Sequence, residues 1–183
     1  PSSVSANQIT IIGFGVGLAS CLAVTQQAFG LALLLLLINR FGDGLDGAVA
    51  RRDGPTDLGS YLDIVADFLL WSLLPLAFLV NAPQNATAAA VLLSSFAMSM
   101  VVFLAFAILA EKRGVTTAAQ GKKSFFYMAG LAEGTETIAF FVFVMWMPEY
   151  FRVAAYAFAA LVYVSVLGRI FSSYQTLKDA PNE

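Results

Sequence analysis

Polar residues in this chain are gathered into short breaks between long apolar runs. Six such runs can be marked, at residues 9–25, 28–50, 58–81, 86–110, 129–147 and 150–174. Each is close to the roughly 20 residues that a helix needs to cross a bilayer. None has the period-two alternation of a membrane barrel strand, so the pattern predicts helices throughout. Asp53-Gly54-Pro55 is a turn signal that ends the second helix, and Thr56 or Asp57 is placed to cap the third. The second and third helices are therefore expected to form a hairpin. The expected fold is all-α, a polytopic membrane protein with six transmembrane helices in a single domain over residues 1–183.

Composition strengthens this reading. Hydrophobic residues make up 59% of the chain, charged residues 12%, and the mean hydropathy is +0.78, far from soluble averages. The few cations then suggest an orientation. Arg51 and Arg52 lie between the second and third runs, Lys112, Arg113, Lys122 and Lys123 between the fourth and fifth, and Lys178 follows the sixth. The opposite breaks hold Gln26 and Gln27, the uncharged 81–85 stretch, and Arg152 beside Glu149. By the positive-inside rule both termini face the cytoplasm. Cys21 stands alone in an apolar run and reads as a packing residue rather than part of a disulfide framework. With no histidine and one cysteine, zinc chemistry is not expected, and nothing points to nucleic acid. Trp71, Trp146 and Tyr150 fit interfacial aromatic belts. The opening Pro1, in place of a methionine, leads us to expect further residues ahead of it.

One stretch breaks the apolar rule. From Asp43 to Asp67 the chain carries six aspartates in 25 residues, and four of them, Asp43, Asp46, Asp63 and Asp67, fall within or at the ends of apolar runs. A carboxylate at membrane depth costs roughly 2.5–3.5 kcal/mol on insertion scales. Four on neighbouring helices also repel one another unless something positive neutralises them. Clustered hard oxygen ligands suit Mg²⁺, Mn²⁺ or Ca²⁺. Asp43, Gly47 and Ala50 follow at i, i+4 and i+7, and Gly59, Asp63 and Asp67 at i, i+4 and i+8, so each set shares a helix face. Two such stripes predict a four-carboxylate pocket opening to the cytoplasm. Two divalent ions there would be able to clamp a diphosphate. Gly47, Ala50 and Gly59 leave the same faces bare enough for a nucleotide to approach the backbone, with Arg51 at the rim suited to a phosphate or a structural carboxylate contact.

The run Asp43-x2-Asp46-Gly47-x2-Ala50-Arg51-x7-Gly59-x3-Asp63-x3-Asp67 resembles the signature of the CDP-alcohol phosphotransferases, also called CDP-alcohol phosphatidyltransferases. Eight positions match in order and spacing. The likeness extends to Asn7-Gln8-Ile9-Thr10 before the first span, and the stretch KSFFYMAGLAEGTETIAFF is similar to a bacterial inner-membrane, phosphatidylglycerophosphate-synthase-like branch. The resemblance implies transfer of a phosphatidyl-type group from a CDP-linked lipid to an alcohol, with release of CMP, in phospholipid biosynthesis. It also implies a homodimer of six-helix subunits, which the apolar face around Ala97, Met98 and Met100 would suit as a seam. One or two Mg²⁺ or Mn²⁺ ions come with it, with Asp43, Asp46, Asp63 and Asp67 as ligands and Asp67 also as general base. Gly47, Ala50 and Gly59 would border the cytidine, with Asn7 and Thr10 as contacts from the other side. The implied location is the bacterial inner membrane, with the site on the cytoplasmic face.

The acceptor end departs from the pattern. Members using phosphorylated polyols carry arginines near the start of the fifth span, where this chain has Gly130-Leu131-Ala132-Glu133-Gly134-Thr135-Glu136. Glu133 and Glu136 would read hydroxyls or an amine, or else serve interhelix hydrogen bonding or simple interfacial exposure. Lys122, Lys123 and Arg169 would form a phosphate site, or the lysines a topology-setting loop that attracts anionic lipid. The expected acceptor is one whose recognised part is neutral or cationic. Two other classes also join aspartates to a membrane. A membrane prenyltransferase wants Asn-x3-Asp-x3-Asp, and here Asn39-x3-Asp43 is followed by Gly47. A divalent cation transporter would explain buried carboxylates but not the Gly-x2-Ala-Arg insertion.

Overall fold

The computed structural model describes residues 5–113 and 134–179. Every element among them is helical, in the order α1 (Ala6–Thr25), α2 (Phe29–Asp53), α3 (Asp57–Asn81), α4 (Ala86–Lys112), α5 (Gly134–Trp146) and α6 (Phe151–Asp179). Short 3₁₀ turns at Pro83–Asn85 and Pro148–Tyr150 lead into α4 and α6. Four helical segments are long and apolar enough to cross a membrane: Ala6–Thr25, Asp57–Asn81, Pro83–Lys112 and Pro148–Lys178. Of the expected six spans, four thus have the length and apolarity that crossing needs. Helix α2 has the length, at 25 residues, but Arg40, Asp43, Asp46, Arg51, Arg52 and Asp53 crowd its C-terminal half. Helix α5 has 13 described residues.

The helix limits follow from local chemistry. The Ser5 hydroxyl accepts from the Gln8 amide while the Gln8 side chain accepts from the Ser5 amide, a capping box that starts α1. Gly54, with φ 99°, adopts the left-handed backbone that closes α2. Of the two candidate caps for α3 it is Thr56 that acts, its hydroxyl accepting from the Gly59 amide at 3.1 Å. Only three residues separate α2 from α3, so the two run antiparallel.

The chain divides into two compact units. The first comprises α1, α2 and α3 with residues up to Ala89, joined by Phe141–Arg152. Here α1 packs against both α2 and α3. A Cβ on Gly17 would lie 3.0 and 3.1 Å from the two Leu70 methyls and 3.2 Å from Asn39 Nδ2, so the absence of a side chain here lets the three helices meet closely. Asn39 Nδ2 donates to the Gly13 carbonyl at 2.8 Å and Ser20 Oγ to the Ala32 carbonyl at 2.7 Å. Small residues and interhelical hydrogen bonds bind helices where lipid offers no hydrophobic drive between them. Toward the far end of α3 the core turns aromatic: Phe78 stacks on Phe151 at 4.2 Å and on Phe29 at 6.0 Å. Trp71 is buried and stacks on Phe141 at 5.7 Å. This corrects its assignment to an interfacial belt, because its ring is taken up by packing inside the unit. Trp146 and Tyr150 are exposed.

The second unit holds residues 90–113, 134–140 and 153–179. Phe158 stacks on Phe140 at 4.7 Å and meets Phe96 edge-on at 6.2 Å. Tyr163 Oη donates to the Val91 carbonyl at 3.3 Å, and Arg113 donates to the Leu177 carbonyl. These contacts tie α4 to α6.

Candidate active site

The aspartates lie in the first unit, where the C-terminal half of α2, the N-terminal half of α3 and the start of α1 come together. Helical spacing carries Asp43 and Asp46 on α2 and Asp63 on α3 toward one another. One carboxylate oxygen from each lies within 4.8 Å of the other two. Two oxygens bound to one hard cation at roughly 2.0–2.6 Å are at most about 4–5 Å apart. The donor set and its spread therefore fit a divalent ion without rearrangement of the helices. Asp46 is the most enclosed of the three, at 5% exposure, and its Oδ2 accepts from the Thr10 hydroxyl at 2.6 Å.

Asp67 takes a different partner. Its Oδ1 is 2.9 Å from Arg40 Nη2, while Arg40 Nη1 is 3.7 Å from Asp43 Oδ2. The predicted four-carboxylate group thus forms as three convergent aspartates with the fourth tied to a guanidinium. Arg40 went unread in the sequence, although its position three residues before Asp43 on one helix face was the available signal. Thr10 as a direct partner of Asp46 was also missed. It had been read only as a contact to the nucleotide.

Beside the aspartates opens a cavity of about 330 Å³. Asn7, Thr10, Asp46, Gly47, Ala50, Gly59 and Asp63 line it, together with the turn through Thr56. The Arg51 guanidinium lies against Gly47, its Nη1 3.3 Å from where a Gly47 Cβ would stand. A Cβ on Gly59 would come 3.0 Å from Asn7 Oδ1 and 3.1 Å from Thr56 Oγ1. The bare glycine faces therefore keep this space open and let α1 approach α3. A second recess of about 10 Å³, near the size of one water, lies among Thr10, Asn39, Arg40, Asp43, Asp46 and Asp67. Asp46 and Thr10 border both spaces.

The acceptor candidates are less fully described. Lys122, Lys123 and Glu133 lie outside the described residues. Glu136 is exposed in the first turn of α5. Arg169 is on α6, where its Nη1 donates to Ser99 Oγ at 3.3 Å in the second unit.

Comparison with known proteins decides the family. The profile of the CDP-alcohol phosphatidyltransferases matches residues 3–170. The chain belongs to this family. It is thereby a transferase of substituted phosphate groups, and the readings as a prenyltransferase or a cation transporter fall away. Family members transfer a phosphatidyl group from a CDP-alcohol to an alcohol acceptor in membranes, generally with a divalent metal. The chain is 42% identical over 176 residues to the inner membrane protein YnjF of Escherichia coli (strain K12), covering 96% of this chain and 85% of that one. It is 43% identical over 67 residues to an uncharacterised protein of Aquifex aeolicus (strain VF5), covering 36% of this chain and 34% of the other. No solved structure matches significantly.

Proposed function

We propose that this CDP-alcohol phosphatidyltransferase uses a CDP-linked lipid, CDP-diacylglycerol, as donor and passes its phosphatidyl group to an alcohol, releasing CMP, in phospholipid biosynthesis. The observation that carries this is the placement of the Asp43, Asp46 and Asp63 oxygens within 4.8 Å beside a cavity walled by Gly47, Ala50 and Gly59. Asp43, Asp46 and Asp63 hold Mg²⁺ or Mn²⁺, with Asp67 at the edge of the same group. The bound cation supplies charge neutralisation for the donor's diphosphate. Asn7, Thr10, Gly47, Ala50 and Gly59 border the cytidine, and the Arg51 guanidinium binds a phosphate oxygen.

Asp67 serves as general base. Its carboxylate takes the proton of the acceptor hydroxyl as that oxygen attacks the lipid-side phosphorus, and the P–O bond to CMP breaks. The site opens to the cytoplasm of a bacterial inner membrane, in a six-span subunit that forms a homodimer. The recognised part of the acceptor is neutral or cationic, because Glu133 and Glu136 stand where phosphate-reading arginines would serve a phosphorylated polyol. Carboxylates near the acceptor repel a phosphate.

The test is CMP release by purified protein from CDP-diacylglycerol, with glycerol 3-phosphate, glycerol, serine and inositol as competing acceptors, with and without EDTA. Metal-dependent CMP release with a neutral or amino alcohol is the expected result. Undiminished release in excess EDTA would remove the metal role. A strong preference for glycerol 3-phosphate, unaffected by Glu133→Gln but lost in Arg169→Ala, would overturn the acceptor assignment.

A further inference from the structure

Arg40 is unusually placed for a charged residue in an apolar helix. Its side chain is 11% exposed and held on four sides. Nε donates to Asn39 Oδ1 at 2.8 Å, and Asn39 is itself anchored to the Gly13 carbonyl of α1. The guanidinium carbon lies 4.8 Å from the centre of the Trp71 ring, and Trp71 is backed by Phe141. Nη2 contacts Asp67 at 2.9 Å and Nη1 approaches Asp43 at 3.7 Å. Asn39 and Asp43 of α2 and Asp67 and Trp71 of α3 thus orient the fork, and α1 is linked to it through Asn39.

A surface ion pair would not be built this way. Burying a guanidinium is costly unless its charge and N–H groups find partners. Here the Asn39 carboxamide accepts a hydrogen bond, the Asp67 carboxylate pairs at 2.9 Å, and the Asp43 carboxylate and the Trp71 face add weaker electrostatic contacts. Asp63, Asp67 and Trp71 follow at i+4 steps along one face of α3, and Arg40 and Asp43 at i+3 on α2. Arg40 therefore stands one turn before Asp43 and level with Asp67, beside the small recess and away from the larger cavity, at the closed end of the group.

We propose that Arg40 is a positioning residue: its guanidinium fixes the Asp67 carboxylate through one oxygen and acts as a resident cation at the closed end of the site. This rests on the reading of Asp43, Asp46 and Asp63 as metal ligands and of Asp67 as the base. Oδ1 of Asp67 is committed to the fork, which leaves Oδ2 to work on the acceptor proton. The fixed positive charge also lowers the net negative charge that a divalent ion meets. Arg40 thus holds metal affinity below what the bare carboxylates would give, while keeping the base oriented.

These two effects separate in experiment. Mn²⁺ binding to the purified protein, followed by electron paramagnetic resonance without lipid substrates, reads the electrostatic effect. Arg40→Met should bind Mn²⁺ more tightly, roughly ten-fold. Loss of packing alone would loosen the carboxylates and weaken binding. CMP-release kinetics read the positioning effect. Arg40→Met should lower kcat by about 10²-fold or more with little change in donor KM. In an Asp67→Asn background the same change should cost less than about three-fold, because the group Arg40 acts through is already gone.

Arg40→Lys is the second variant, and it keeps the charge but not the fork. It should bind Mn²⁺ like the wild type while still losing kcat. If Arg40→Met does not fold, Arg40→Lys decides alone. Weaker or unchanged Mn²⁺ binding in Arg40→Met, Mn²⁺ binding changed in Arg40→Lys, or fully additive kcat losses with Asp67→Asn would overturn the proposal. Failure of the underlying metal reading looks different: wild type and Asp43→Asn would then bind Mn²⁺ equally poorly.

Discussion

The two ends of the α1–α3 unit are built from the same helices by opposite means. At one end three aspartate oxygens crowd within 4.8 Å, a fourth aspartate pairs with Arg40, and a cavity of about 330 Å³ stands beside them. At the other, Phe29, Phe78 and Phe151 stack face to face. Asn85, a neutral amide, lies among them, and its Nδ2 donates to the Phe78 carbonyl at 3.3 Å. Aromatic stacking contributes about 0.5–1.5 kcal/mol per pair beyond area burial and leaves no charge to satisfy. The carboxylate end does the reverse. Like charges held together store unfavourable energy that only cations and hydrogen-bond donors offset. One end packs rings between the helices, and the other gathers carboxylates beside an open cavity.

The sharpest way to break this contrast is to remove the cation. EDTA, or Asp63→Asn, should abolish CMP release, with Asp63→Asn losing more than the roughly 10–100-fold typical of outer-shell changes. Either treatment should leave the protein folded by circular dichroism. Retained turnover would mean that the acidic end is structural after all.

Asp67→Asn comes next. Loss of a general base should lower kcat by about 10²–10⁴-fold while donor KM stays close to wild type. A matching collapse of donor binding in Asp67→Asn and Asp43→Asn would assign Asp67 to metal binding alone.

Thr10→Val is smaller and keeps the side-chain shape. It deletes the 2.6 Å hydrogen bond to Asp46, so Mn²⁺ should bind roughly 10–100-fold more weakly. Unchanged Mn²⁺ affinity, measured by titration calorimetry, would show that Asp46 needs no such support.

The smallest expected effect on activity lies at the aromatic end. Phe78→Leu removes both stacking pairs and should lower stability by about 1–3 kcal/mol with Mn²⁺ binding and turnover per folded molecule unchanged. A large loss of specific activity would show that the two ends are coupled rather than separate.

Helical character, apolar runs and the spacing of the eight-position motif were all legible along the chain, because each is a local or periodic property. The apolar runs at 9–25, 28–50, 58–81 and 86–110 agree with α1 to α4 to within three residues at each end. Gly54 and Thr56 mark their turn through backbone preferences that act over a few residues. Periodicity placed Asp43, Asp46, Asp63 and Asp67 on two stripes but was silent on what each would meet across the gap. The choice of partner depends on interhelical distance, which Gly17 and Gly59 set by what they lack. Only the packed helices bring Arg40 within 2.9 Å of Asp67, two residues 27 positions apart in the chain. Trp71 likewise left its expected interfacial place because Phe141 and the Arg40 guanidinium offered it two faces inside the fold. Local rules determined which groups this protein has to work with. Tertiary contact decided which carboxylates face one another and which one a cation already holds, since charge pairing depends on distance in space rather than in sequence.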